Sequence, residues 1–216
     1  MRTLLITGGT GGLGTAVVTR LARDYRCVVL YHGEASWQAL RRDVEVEGIA
    51  ADLTDEIALA RAVGGVGELY GVVHLVGGFA TGGVASRGSV WAKMLSLNLI
   101  TAVNVIRAAL PQLVDGGRIV AISSLATVAK PAGIAPYVVS KSALNALIEA
   151  LAVELKDRRI TANALLPDAL GTPAMRASAG STPLVPIEHV AETIAWLLSD
   201  AASELTGALI PLRGGP

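Results

Sequence analysis

The 216-residue chain has one cysteine, one phenylalanine and only 4% aromatic residues. A lone cysteine, Cys27, excludes an intrachain disulfide and a cysteine-built metal site. It stands in the apolar run Cys27-Val28-Val29-Leu30 and reads as a buried core thiol. Neither sign of charge is in excess, with 18 basic and 18 acidic side chains. Without a basic footprint or a run of like charge, nucleic acid and membrane surfaces are not expected partners. Gly, Pro or a charged residue interrupts the apolar stretches short of the roughly 18 residues of a membrane span. The opening run Met1–Gly8 is too short for a secretory apolar region, so a cytosolic location is expected.

What the chain has instead is glycine, 24 of them, in a sequence that is 52% apolar. The glycines have no period, which excludes collagen and low-complexity classes. Short β-branched apolar runs alternate with segments of helical period. The pattern predicts strands near 3–7, 27–31, 48–51, 71–76, 117–123, 160–166 and 207–211. It predicts helices near 12–23, 35–42, 55–63, 88–114, 136–157 and 187–199. Such alternation predicts an α/β fold, a doubly wound parallel sheet of about seven strands with helices on both faces. With no linker and no internal repeat, residues 1–216 are expected to form one domain.

Two motifs carry chemistry. The first strand runs into Thr7-Gly8-Gly9-Thr10-Gly11-Gly12-Leu13-Gly14, where glycines let the backbone approach a pyrophosphate and a helix N-terminus offers it free N–H groups. Further on, Tyr137-Val138-Val139-Ser140-Lys141 follows Pro136. A phenol and an ammonium at i and i+4 share one helix face, and a nearby cation favours the ionised phenol. Ser124 ends the strand Ile119–Ser124 thirteen residues upstream, at the sheet edge where open α/β folds bind ligands. Asn98 interrupts an apolar helix, where a buried amide must find partners.

Together these motifs resemble the short-chain dehydrogenase/reductase family over nearly the whole chain. The resemblance implies a three-layer Rossmann fold and an NAD(P)-dependent oxidoreductase that interconverts a small-molecule carbonyl and alcohol. It implies Tyr137 as general acid/base, Lys141 as its pKa modifier and a ribose ligand, and Ser124, not Ser123, as the substrate-oxygen anchor. Asn98 would link the lysine to solvent through a water, with Asn104 as the competing candidate. For the dinucleotide it implies Thr7, Gly8, Thr10, Gly12, Leu13, Gly14, His32, Asp52, Leu53, Gly77, Tyr137, Lys141, Pro167 and Thr172. Asp52 reads equally as a cap for the helix that follows. No metal is implied. Family members associate through the two long helices, so a homodimer or homotetramer is expected.

The chain departs from the family in places. His74-Leu75-Val76-Gly77 stands where the family has N-N-A-G, and His74 reads as a satisfied core histidine. Asp168 replaces the usual glycine after Pro167. At the end of the second strand, His32 replaces the acid that would bind a ribose diol, which favours NADP(H) over NAD(H), with Glu34 as the contrary residue. Residues 174–185 form only a short lid, and Gly77–Gly83 is expected to edge the substrate mouth. The stretches Val76–Ala80 and Leu166–Arg176 resemble the dihydropteridine reductase branch, which lacks the serine present here as Ser124, so reduction of a planar ring is the alternative chemistry. A dinucleotide sensor without turnover is the alternative class.

Overall fold

The computed structural model describes residues 1–178 and 180–215. Seven strands form one sheet: β1 Thr3–Thr7, β2 Arg26–Tyr31, β3 Glu47–Ala50, β4 Leu69–His74, β5 Leu113–Ile122, β6 Thr161–Pro167 and β7 Leu209–Leu212. Every pairing is parallel, in the order β3-β2-β1-β4-β5-β6-β7. The helices are α1 Gly14–Leu21, α2 Glu34–Asp43, α3 Glu56–Gly64, α4 Gly88–Leu95, α5 Thr101–Ala109, α6 Ala126–Ala129, α7 Ala135–Glu154, α8 Pro173–Arg176 and α9 Ile187–Leu198.

Alternate residues of each strand face opposite layers because a strand's side chains have period two. Leu4, Ile6, Val29, Val73, Val120 and Leu165 pack toward α1 and α9. Leu5, Val28, Val72, Ile119 and Ala164 pack toward α3, α5 and α7. The runs are apolar throughout because both faces are covered. Local signals set the helix ends. Asp55 accepts from the Ala58 N–H at 3.0 Å to start α3, Pro136 sits in the first turn of α7, and Thr172 caps α8. Cys27 is buried and its thiol is pushed up to about 12 by desolvation, as a core residue requires.

Several expectations are corrected. The predicted helix 88–114 ends at Ala109, because Leu113 already enters β5. Within it, Ser96–Ile100 forms a π-helical turn between α4 and α5. The whole stretch Gly88–Ala109 is, by length and composition, apolar enough to cross a bilayer, so the interruptions read from the sequence do not suffice. Its inner face, including Met94, Asn98, Ala102, Val105 and Ile106, is nevertheless part of the protein interior. On α7, Leu144, Ile148 and Leu151 also belong to the core, so much of the apolar run assigned to subunit contact serves the fold. Ala179, in the expected lid, lies outside the described residues.

The chain crosses from β3 over to β4, so the connections leaving β1 and β4 diverge. That divergence opens a crevice at the carboxyl edge. The glycine turn leaves β1 there, residues 75–82 leave β4, Ser123–Leu125 leave β5 and residues 168–172 leave β6.

Candidate active site

The glycine turn is folded tightly onto its own helix. Gly8 adopts φ +69°, and its carbonyl accepts from the Gly11 N–H at 3.1 Å. A Cβ on Gly14 would overlap the Gly8 carbonyl oxygen and lie 2.6 Å from the Gly9 carbonyl carbon, so α1 can start here only from glycine. The N–H groups of Gly12 and Leu13 donate to no acceptor among the described residues. A Cβ on Gly12 would meet Thr172 Cβ at 3.1 Å, which puts the turn against the loop after β6. Thr10 lies in the same turn. Leu13 contributes its side chain to the core. These groups fit a pyrophosphate, offering unpartnered donors at a helix N-terminus and backbone that no side chain shields.

The Thr7 side chain does not face this crevice. It is wholly buried, and its hydroxyl lies 2.9 Å from His74 Nδ1. Thr101 Oγ1 donates to the Leu97 carbonyl at 2.8 Å and lies 3.5 Å from His74 Nε2. Since that hydroxyl proton is committed, the network assigns the imidazole as the Nε2–H tautomer, with Thr7 donating to Nδ1. Burial, aided by the Lys141 charge, holds His74 down at about 3. The histidine is neutral and ties β4 to β1 and to the start of α5.

Tyr137 and Ser124 come together across the carboxyl edge. Burial pushes the Tyr137 phenol up from its usual value, and a hydrogen bond with Ser124 opposes the shift. Ser124 also accepts from the Ala126 N–H at 3.2 Å. Ser123 instead points inward, toward the Lys141 carbonyl at 3.4 Å. Lys141 Nζ donates to the Ile122 carbonyl at 2.7 Å, and burial lowers its ammonium to about 8. The expected lowering of Tyr137 by Lys141 is absent. The ammonium is committed to β5, and desolvation governs the phenol.

Asn98 is fully buried at the middle of the π turn. Its Oδ1 accepts from the Gly78 N–H at 2.8 Å, and its Nδ2 donates to the Gly78 carbonyl at 3.0 Å and to Ser140 Oγ at 2.9 Å. Asn104 is elsewhere, donating to the Leu53 carbonyl at 3.0 Å. A Cβ on Gly77 would lie 2.8 Å from both Asn98 Oδ1 and Lys141 Nζ, so the strand exit must be glycine for those two polar groups to converge. Ser140, which sequence reasoning passed over, joins Asn98 to the first turn of α7. The signal for it was only its position between Tyr137 and Lys141.

At the outer part of the crevice, His32 is exposed just beyond β2. Thr54, whose hydroxyl and N–H both donate to Asp52 Oδ1 at 2.7 and 2.8 Å, holds that carboxyl below its usual value, with a smaller share from His32. Asp52 therefore closes an Asx turn, and the cap of α3 is Asp55. Glu34 begins α2 and accepts from Gln38 at 2.6 Å. Pro167 ends β6, and its carbonyl accepts from the Leu125 N–H at 2.9 Å. The Thr172 hydroxyl accepts from the Met175 N–H at 3.3 Å as the α8 cap. Phe79, the chain's single phenylalanine, packs edge-on against the Tyr137 ring at 5.0 Å while remaining 63% exposed. Gly82 is held to Gly133 and Ala135 by backbone hydrogen bonds of 2.6 and 2.9 Å, so the mouth is fastened to α7.

Comparison with known proteins agrees with this geometry. The family model described as short chain dehydrogenase matches residues 2–182. The 2,5-dichloro-2,5-cyclohexadiene-1,4-diol dehydrogenase LinX of Sphingobium indicum is 31% identical, over 98% of this chain and 94% of its own. The L-xylulose reductase of Bos taurus is 30% identical, over 99% and 96%. The solved structure of BdcA in complex with NADPH has a TM-score of 0.87 at 28% identity, over 99% of this chain and 93% of that one.

Proposed function

The chain belongs to the short-chain dehydrogenase/reductase family, and from that premise we propose that it interconverts a small-molecule carbonyl and alcohol with a nicotinamide dinucleotide. The observation that carries the reading is the meeting of the Tyr137 phenol with the Ser124 hydroxyl at the carboxyl edge, beside Lys141, whose Nζ donates to the Ile122 carbonyl at 2.7 Å. A neutral phenol beside a hydroxyl is an acid poised to donate. The bound dinucleotide supplies the hydride. Ser124 holds the carbonyl oxygen, and Tyr137 gives that oxygen a proton as the carbon accepts the hydride. Lys141, whose ammonium is lowered to about 8 and which the Ile122 carbonyl positions at 2.7 Å, holds the ribose. Asn98 fixes the Gly77-Gly78 backbone against the lysine and anchors the relay that returns a proton.

Gly8, Gly12, Leu13 and Gly14 receive the pyrophosphate, with Thr10 at the turn's rim. Asp52 and Leu53 border the adenine, and Gly77, Pro167 and Thr172 border the nicotinamide half. Thr7 serves through its backbone. NADP(H) is favoured over NAD(H) because the exposed His32 stands where an acid would repel a 2′-phosphate. The exposed apolar residues Ile100, Val139 and Val153 on the two long helical segments support association of copies of this chain as a dimer or tetramer.

The test is Tyr137→Phe assayed for NADPH oxidation over a diverse carbonyl panel. Turnover is expected to vanish while the dinucleotide still binds by calorimetry. Turnover at the unsubstituted rate would overturn the mechanism. Clear dinucleotide binding with no turnover by the unsubstituted chain on any carbonyl would identify a sensor instead. The exposed ring of Phe79 against Tyr137 favours a second reading, planar-ring reduction, which predicts faster turnover of a quinonoid dihydropterin than of simple ketones.

A further inference from the structure

A cavity of about 920 Å³ lies at the sheet edge opposite the crevice described above. It is bounded by the amino-terminal ends of β1, β4, β5 and β6 and by residues 200–206. Its volume is that of a small-molecule site, roughly 300–1,000 Å³. Arg118 and Thr161 are register partners on β5 and β6, so their side chains project from one face of the sheet. Each is only 4% exposed. Arg118 Nη1 donates to the Gly116 and Gly117 carbonyls. Arg118 Nε and Thr161 Oγ1 have no hydrogen-bond partner among the described residues.

A guanidinium this buried needs a counter-charge. The Tyr70 ring lies 5.7 Å from it and Asp200 feels its charge, but the neighbouring carboxylates make their ion pairs with other arginines. Asp200 is bound by Arg2 at 2.9 Å, and Asp115 by Arg158 at 3.0 Å. The remaining acids of the lining, Glu68 and Glu204, are exposed at the rim, where water screens them. The floor is cationic and the rim is mixed. We propose that this cavity is a second binding site, for a small molecule bearing a phosphate or carboxylate group that pairs with the Arg118 fork and accepts from the Thr161 hydroxyl. The site does not depend on the reductase reading.

The experiment is to record amide correlation spectra of the full 15N-labelled chain during titration with inorganic phosphate and, separately, with succinate at constant ionic strength. Both titrations are run with and without saturating NADPH, which occupies the glycine turn. At tens of millimolar anion, the amides of Gly117, Arg118 and Thr161 are expected to shift, and to go on shifting in the presence of NADPH. The anion giving the tighter response identifies the head group. Arg118→Met is expected to weaken the response at least about tenfold. Thr161→Val is expected to raise the melting temperature of the ligand-free chain, because an unpartnered hydroxyl is removed, while also weakening the anion. It decides the question should Arg118→Met fail to fold. No shift at these amides with either anion, or an undiminished shift in the folded variants, overturns the proposal.

Discussion

The Asn98 side-chain amide donates to the Ser140 hydroxyl across 2.9 Å, and that hydroxyl donates onward to the Tyr137 carbonyl across 2.8 Å. Two elements separated by 42 residues are thereby joined beside the reacting groups. A single hydroxyl at position 140 sets how the first turn of α7 sits against the π turn.

Removing that hydroxyl leaves a buried amide hydrogen short of an acceptor. Ser140→Ala is expected to destabilise the chain by about 1–3 kcal/mol, measured by urea denaturation. Ser142→Ala, whose hydroxyl makes none of these bonds, is expected to change stability by less than about 0.5 kcal/mol.

His74 makes stability acid-sensitive. Its imidazole is held at about 3 in the folded chain against about 6.5 in an unfolded one. Between those values the unfolded state binds the extra proton, so stability falls as pH drops from 6.5 toward 3. The slope is about 1.4 kcal/mol per pH unit. His74→Asn carries no titrating group and is expected to lose that part of the slope, moving the acid-unfolding midpoint to lower pH by circular dichroism. An unchanged midpoint would show that other groups govern acid unfolding.

The glycines divide into required and replaceable ones. Gly14→Ala drives a methyl group into the Gly8 carbonyl and is expected to cost about 3 kcal/mol or more and to abolish dinucleotide binding. Gly83 meets nothing within 4 Å and has no positive φ. Gly83→Ala is expected to be neutral or to stabilise by up to about 1 kcal/mol. Thermal unfolding and calorimetric titration of both variants read the contrast.

His32→Asp is expected to reverse cofactor choice. An added carboxylate beside the adenine ribose repels a 2′-phosphate and accepts from a free diol. The ratio of NADPH to NADH dissociation constants, by fluorescence titration, is expected to shift at least about tenfold toward NADH. A ratio unchanged by the substitution would place discrimination at another residue.

The seven parallel strands and the motifs at the carboxyl edge were legible because each rests on local chemistry. Apolar runs mark buried strands, glycines mark the turn, and an i, i+4 pair marks a shared helix face. Asn98 was legible as a buried amide in an apolar helix, and the structure separates it from Asn104 by their different partners. What stayed hidden depends on long-range pairing. No local pattern shows that Thr7 turns toward His74 or that Lys141 is engaged by the Ile122 carbonyl. The balance that sets Tyr137 was hidden for the same reason, since spacing reveals a neighbouring cation and cannot reveal desolvation. The Arg118 cavity was equally invisible, because its floor forms only when β5 and β6 align.

The central position of β1 constrains how the molecule can be made. Thr3–Thr7 leaves the ribosome before every other strand of this sheet, yet its partners on its two sides are β2, some twenty residues on, and β4, which starts at Leu69. Half of its backbone bonds must wait for that later strand, and closing so long a loop is slow. Until then an apolar segment, Leu4-Leu5-Ile6, has one open edge. A nascent chain stalled before Leu69 would offer that edge to any other strand nearby. Losing the first seven residues would remove the strand that joins β2 and β3 to the other four.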